Sequence, residues 1–243
     1  MIFEEQIKVK YSEMDYKLAL KPSSLLNFLQ DLASANAEKL GFGYSYINPK
    51  NIGWFLLKYR MEFNDYPVSV YDLTLKTEPR GCKKLFAYRD FYIYEGERLL
   101  GKIASIWALV NMKTKALVPV QQTLNNDYMP LYQERESDLV FKKLKPPENI
   151  NVQKFFEVRY EDIDVNSHAN NENYIIWALE PLSFDFRSSH QIKTLDIQFK
   201  KEIKYGTKVI SQIEFLNDFT TLHSIKNAET LEDLCIAEVL WKA

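Results

Sequence analysis

Apolar and polar residues alternate weakly over residues 2–10, the period of a strand with one face on a core. After a loop from Tyr11 to Tyr16, Pro22-Ser23-Ser24 opens a stretch with helical spacing, since proline is tolerated in a first helical turn. Leu25, Phe28, Leu29, Leu32, Asn36 and Leu40 form its inner stripe, and Gly41 and Gly43 end it. The spacing then predicts four strands, over 53–63, 70–78, 85–95 and 99–110, with Pro79-Arg80-Gly81 and Glu95-Gly96-Glu97 as turn signals. No helix separates these strands, so the unit cannot be a parallel α/β one.

Residues 111–153 lose this regularity. Pro119, Pro130, Pro146 and Pro147 and a charged run mark a linker, with one short helix near 122–129. The strand–loop–helix–strands order then returns, with strands expected at 155–160, 191–203, 207–217, 219–227 and 233–242. A shift of 149 residues lays Val9-Lys10-Tyr11 on Val158-Arg159-Tyr160 and Asp15 on Asp164, and the helices follow with Leu26 on Ile175 and Phe28 on Trp177. Two copies of one unit follow from this self-similarity.

The chemistry did not repeat. The second copy packs Asp162, Asp164, Asn166 and His168 into seven residues just before Asn170 and Asn171. From Tyr174 the spacing is helical, with Ile175, Leu179 and Leu182 on one face, and either asparagine can cap that helix. If the loop stays strand-like, Asp164, Asn166 and His168 point the same way. Asp164 and His168 then suit a charge-paired base and acid. Asn166 suits a water or carbonyl oxygen, and the helix start offers free amides to a developing oxyanion. In the first copy Lys17 stands for Asn166 and Ala19 for His168, so only the scaffold is kept.

Composition narrows the classes. Lys plus Arg number 31 against 33 Asp plus Glu, a net charge of −2, which argues against non-specific nucleic-acid binding. No apolar run approaches 18 residues, so no membrane span is expected, and the first residues lack a signal-peptide pattern, so the chain reads as cytoplasmic. Cys82 and Cys235 form neither a metal-ligand spacing nor a disulfide framework, and Cys82 follows a turn glycine. Neither His190 nor His223 has an acid or thiol at informative spacing, and no histidine array suggests a metal. Arg80, Lys83, Lys84 and Arg89, and Lys200, Lys201 and Lys204, are local basic clusters suited to an acidic partner or a phosphate.

The stretch from Asp164 resembles the catalytic loop of the acyl-acyl carrier protein (acyl-ACP) thioesterases. There, Asp-x-Asn-x-His is followed by Val/Ala-Asn-Asn and a Tyr-Ile-x-Trp-x-Leu-Glu helix, matched here by Ala169-Asn170-Asn171 and Tyr174 to Glu180. Lys201-Glu202-Ile203 matches the family's Arg/Lys-Glu-Cys, with Ile203 where the plant members have Cys. Gly53-Trp54-Phe55-Leu56-Leu57 and the strand from Ile106 to Asn111, with Thr114, resemble the family's N-terminal strands.

The resemblance implies an α+β tandem (double) hotdog fold, each copy a long helix wrapped by an antiparallel sheet. Residues 1–115 would be an acyl-chain-binding domain, 116–152 a linker and 153–243 the catalytic domain. It implies hydrolysis of fatty acyl-ACP to free fatty acid without cofactor or metal, by Asp164, Asn166, His168 and Glu202, with Glu202 reaching in from a facing strand. Phe28, Leu29, Trp54, Phe86, Tyr88 and Trp107 are the candidates for holding the acyl chain. Arg80, Lys83, Lys84, Lys200, Lys201 and Lys204 are the candidates for meeting the carrier and its phosphopantetheine. Attack by water and attack by the Asp164 carboxylate both stay open, as do acyl-CoA hydrolysis and non-catalytic acyl binding. So do a monomer of pseudo-dimeric halves and a homodimer.

Overall fold

The computed structural model describes residues 2–243, the side chains of 125–128 excepted. The first copy runs β1 (Phe3–Lys8), α1 (Pro22–Lys39), α2 (Tyr44–Ile47), β2 (Ile52–Phe63), β3 (Asp72–Lys83), β4 (Phe86–Glu95) and β5 (Arg98–Asn111). A short β6 (Leu117–Val118) pairs back on β5, and α3 (Val120–Tyr128) follows. The second copy is β7 (Val152–Glu157), α4 (Asn171–Leu179), α5 (Phe184–Ser189), β8 (Gln191–Phe199), β9 (Lys208–Asn217), β10 (Thr220–Asn227) and β11 (Asp233–Lys242).

Among the described residues these strands form one sheet in the order β1-β3-β4-β5-β2-β8-β11-β10-β9-β7. The second half of that order mirrors the first. The seam is the antiparallel pair β2–β8, with Tyr59 opposite Ile197 and Arg60 opposite Asp196. The two copies are thus a pseudo-dimer inside one chain, and this is the tandem hotdog arrangement. Arg60 Nη1 donates to both carboxylate oxygens of Asp196 across the seam, at 2.8 and 3.0 Å, and Nη2 donates to Glu62. Glu62 shares a Lys/Arg-x-Glu context with Glu202, but it belongs to this seam.

α1 buries Leu25, Leu26, Leu29, Leu32, Ala33 and Ala37 against the sheet. α4 has nine residues, too few for a stable isolated helix, so its stability comes from burying Tyr174, Ile175, Trp177, Ala178 and Leu179. It stops before Pro181, whose ring and missing N–H end a helix, so Leu182 is buried just beyond α4 and not on its face. α5, which the apolar spacing does not announce, fills the gap before β8.

Pro79-Arg80-Gly81 is not a turn. The β3–β4 register shifts there, and the reversal comes later, at Lys84-Leu85, with Lys84 at φ 55°. Gly81 has φ 104°, and a Cβ on it would lie 2.5 Å from the Pro130 carbonyl oxygen. The glycine lets the linker lie along β3, where the Cys82 N–H donates to Pro130 O and the Tyr132 N–H to Cys82 O, both at 2.9 Å. Arg80 is buried in the same contact and is held by Asp90, Asp138 and the Gln133 carbonyl.

Burial opposes the ionisation of Asp138. Arg80, the Arg135 amide and the Tyr132 hydroxyl outweigh it and hold the carboxyl down to about 2. A folded value below the unfolded one contributes stability that is whole above the ordinary carboxylate range and is lost as pH falls through about 2. Asp138→Asn should therefore melt lower than wild type at pH 7, with the gap closing towards pH 2. Thermal melts across that range check it, and a constant gap would contradict it.

Candidate active site

The loop before α4 is a closed turn, so the three side chains do not share a strand face. The Asp164 N–H donates to His168 O at 2.8 Å, Ser167 takes the left-handed φ of 64°, and Ile163 bridges to Ala169. The Asp164 carboxylate caps this turn from inside, its Oδ1 accepting the N–H groups of Asn166 (2.8 Å) and His168 (3.3 Å). The first copy builds the same turn. Asp15 Oδ1 accepts from the amides of Lys17 and Ala19, and Leu18 has φ 59°. Asp15 and Asp164 match because both cap a turn. Lys17 has a different task, donating to the Arg187 and Ser188 carbonyls at the end of α5 and tying the copies together.

His168 and Glu202 are the pair that the fold brings together. His168 Nε2 lies 3.3 Å from Glu202 Oε2, with the imidazole largely buried and the carboxylate part-exposed. Glu202 sits in the loop beyond β8 and not on a strand. That loop is pinned on the α4 side by the Tyr174 hydroxyl, which donates to Lys201 O at 3.0 Å, and by the Ala169 N–H, which donates to Ile203 O at 2.9 Å, while the Lys200 and Lys201 amides donate to Leu234 O. Burial pushes the Tyr174 hydroxyl far above its usual range, so it stays a donor. Lys115 reaches the same Glu202 oxygen from the first copy, at 3.5 Å. It stands in a hairpin whose amides at Lys113 and Thr114 are capped by Asn111.

A cleft holds Asp164, His168 and Glu202 together with Asn171 and Tyr174. Its other wall comes from the first copy: Gln30 on α1, Trp54 to Leu57 on β2, and Trp107 on β5. Asn166 is not among the lining residues. It stands exposed at the tip of the turn, because its amide is turned to Asp164. At the start of α4, Asn170 already accepts from the Glu172 and Asn173 amides, so of these only the Asn171 amide is left for a ligand. Gln30 accepts from the Asn171 side chain at 3.1 Å. Gln30 and Lys115 carried no signal in the sequence, since each meets the site only through contacts between copies.

A second cleft lies in the first copy between α1 and β4, lined mainly by apolar side chains. Trp54 and Trp107 line both clefts. Of the six residues expected to hold a chain, Trp54, Tyr88 and Trp107 line this cleft. Leu29 is fully buried in the main core, Phe28 packs against that core, and Phe86 is not among the lining residues of either cleft.

Two family profiles match the chain: the acyl-ACP thioesterase N-terminal domain over residues 1–128, and the acyl-ACP thioesterase C-terminal domain over residues 145–243. The chain belongs to the acyl-ACP thioesterase family. Among relatives in this family, a chloroplastic palmitoyl-acyl carrier protein thioesterase from Gossypium hirsutum is 22% identical over 242 residues. That match covers 94% of this chain and 58% of the relative, so the chain spans little more than half of the cotton protein's length. An oleoyl-acyl carrier protein thioesterase from Arabidopsis thaliana is 22% identical over 99% of the chain and 76% of its own length. Among solved structures, an acyl-ACP thioesterase from Bacteroides thetaiotaomicron superposes with a TM-score of 0.88 at 21% identity, covering 99% of this chain and 98% of its own. A 12:0-ACP thioesterase from Umbellularia californica gives 0.86 at 16%, covering 99% and 97%. The double hotdog fold is shared with both.

Within this family member, the basic side chains divide by burial. Arg80 is committed to its ion pairs and Arg89 is buried, so neither is free to meet a partner. Lys83, Lys84, Lys200, Lys201 and Lys204 are exposed, and Lys200, paired with Asp233, and Lys201, which meets Glu232, border the cleft of His168. Ile203 is buried in the core, so a side chain there does not line the cleft. Cys82 and Cys235 are buried as well, and burial raises both thiols above the ordinary range. Cys82 lies within β3, one residue past its bulge, and not in a turn. No helix among the described residues is long and apolar enough to cross a membrane.

Proposed function

We propose that this chain hydrolyses the thioester of a fatty acyl-ACP and releases the free fatty acid. The observation that carries this is the His168–Glu202 pair, in a cleft that shares Trp54 and Trp107 with a second, apolar cleft. A thioester at His168 can send its chain past the two indoles into the first copy while its carrier arm leaves by the lysine-rimmed mouth.

In this reading a water in the cleft gives a proton to the Glu202/His168 pair as its oxygen attacks the carbonyl carbon. The carbonyl oxygen, gaining charge, faces the Asn171 amide at the positive end of α4. The tetrahedral centre collapses, the C–S bond breaks, and the thiolate takes the proton back and leaves. Asp164 spends one carboxylate oxygen on two turn amides, which suits a positioning residue better than a nucleophile. Asn166 stands at the lip, where it can meet the carrier arm. Lys83, Lys84, Lys200, Lys201 and Lys204 would attract the acidic carrier.

A panel of acyl-ACPs and acyl-CoAs of equal chain length, with the released acids identified, tests this reading. Turnover of the ACP series supports it, turnover of CoA esters alone moves the carrier assignment, and no release from either overturns it.

No thiol takes part in this chemistry. The Cys82→Ser/Cys235→Ser double variant should keep kcat within a few-fold once folded, and iodoacetamide should leave the wild type active. A folded enzyme killed by alkylation and protected by substrate would contradict the water-based route.

A further inference from the structure

Arg89 is the buried cation that the chemistry above does not use. It lies on β4, is 6% exposed, and borders the first-copy cleft. Its Nη1 donates to Asn36 Oδ1 at 2.8 Å and to Thr77 Oγ1 at 2.9 Å, both neutral. No carboxylate pairs with it among the described residues, and neighbouring Asp90 is taken by Arg80. Burial pushes the Arg89 pKa down to about 10, with Tyr59 opposing. An uncompensated buried cation is expensive for a fold and is seldom kept for packing alone. The cleft around it is otherwise made mainly of Ala33, Ala37, Phe42, Trp54, Trp107 and Met129.

We propose that Arg89 is the chain-length gauge of the enzyme, a charged floor at which the methyl end of the acyl chain stops. The inference rests on the thioesterase reading above. A methylene sliding along the indoles leaves water for an apolar wall and gains affinity. A methyl pressed on the guanidinium strips that group of its remaining access and offers no acceptor in return. Chains up to the floor therefore gain with each carbon, and longer ones lose. A chain ending in a hydroxyl gives the guanidinium an acceptor and escapes the penalty.

The test is the kcat/KM profile of the full chain over a saturated acyl-ACP series, for wild type and for R89M, R89Q and R89K, with thermal melts to verify folding. R89M and R89Q should move the optimum up by two or more carbons, raising the ratio of the next longer chain to the wild-type optimum by about 10-fold or more. R89K keeps a cation and should keep the optimum. Either neutral variant, folded and with the wild-type profile, overturns the proposal. If both neutral variants fail to fold, the wild type decides. An ω-hydroxyacyl-ACP two carbons beyond the optimum should then be cleaved at least about 10-fold better than its methyl-ended equivalent, and equal rates overturn the gauge. A wild type inert on the whole series would sink the thioesterase reading, and the gauge with it. An active wild type with an unmoved profile would sink the gauge alone.

Discussion

His168→Ala is expected to lower kcat by roughly 10²–10⁴-fold with little change in melting temperature, the usual worth of one positioned acid–base group. Among the described residues, removing the imidazole leaves the Glu202 carboxylate with Lys115 as its remaining ion-pair partner. Glu202→Gln should fall in the same range, because an amide neither takes the proton nor holds the imidazole by charge. The two losses should not add, since the groups act as one unit. Asp164 needs a control that the fold itself provides. Asp15→Asn and Asp164→Asn weaken the same kind of cap in the two copies, so they should destabilise alike. Activity should fall mainly for Asp164→Asn, whose turn carries His168. Steady-state rates beside melts of all four variants make the comparison. Equal activity losses in both copies would place the chemistry outside the second-copy turn.

Asp196→Ala is expected to lose about 3 kcal/mol of stability, at the low end for breaking a buried ion pair. Arg60 would be left at the seam with its side chain only 12% exposed and with Glu62, itself part-exposed, as its remaining partner. For a chain of this size that is a fall of roughly 6–12 °C in melting temperature. The double variant Arg60→Met/Asp196→Leu should recover most of it, because two apolar side chains of similar volume suit a sheet centre without the desolvation cost. Denaturant or thermal unfolding of the three variants checks this. A single variant that melts like the wild type, or a double variant worse than the single, would mean that the seam does not depend on this pair.

Periodicity and self-similarity determined the long helices and most of the strands here, because those signals are local, while α2, α5 and β6 carried no such signal. α1 starting at Pro22, the cap at Asn170, and the two copies 149 residues apart all follow from side-chain spacing and end chemistry. The motif before α4 singled out Asp164 and His168, and the family resemblance of Lys201-Glu202-Ile203 added Glu202; the fold sets these three in one cleft. Local patterning misled where a residue's role depends on what lies across from it. Pro79-Arg80-Gly81 has the composition of a turn, but the linker packs on it and makes it a bulge. Asp-x-Asn-x-His alternates like a strand, but the Asp164 carboxylate finds amides two and four residues on and closes a turn, which sends Asn166 outward. The basic run from Arg80 looks like one surface patch, but Arg80 and Arg89 are inside and only the lysines face solvent. The sharing of Trp54 and Trp107 by two clefts, the reach of Lys115 and Gln30 into the other copy's site, and the seam through Arg60 and Asp196 were decided only by tertiary structure. These contacts join residues far apart along the chain, and their geometry is set by how the two copies join through β2 and β8 into one sheet, which no local spacing records.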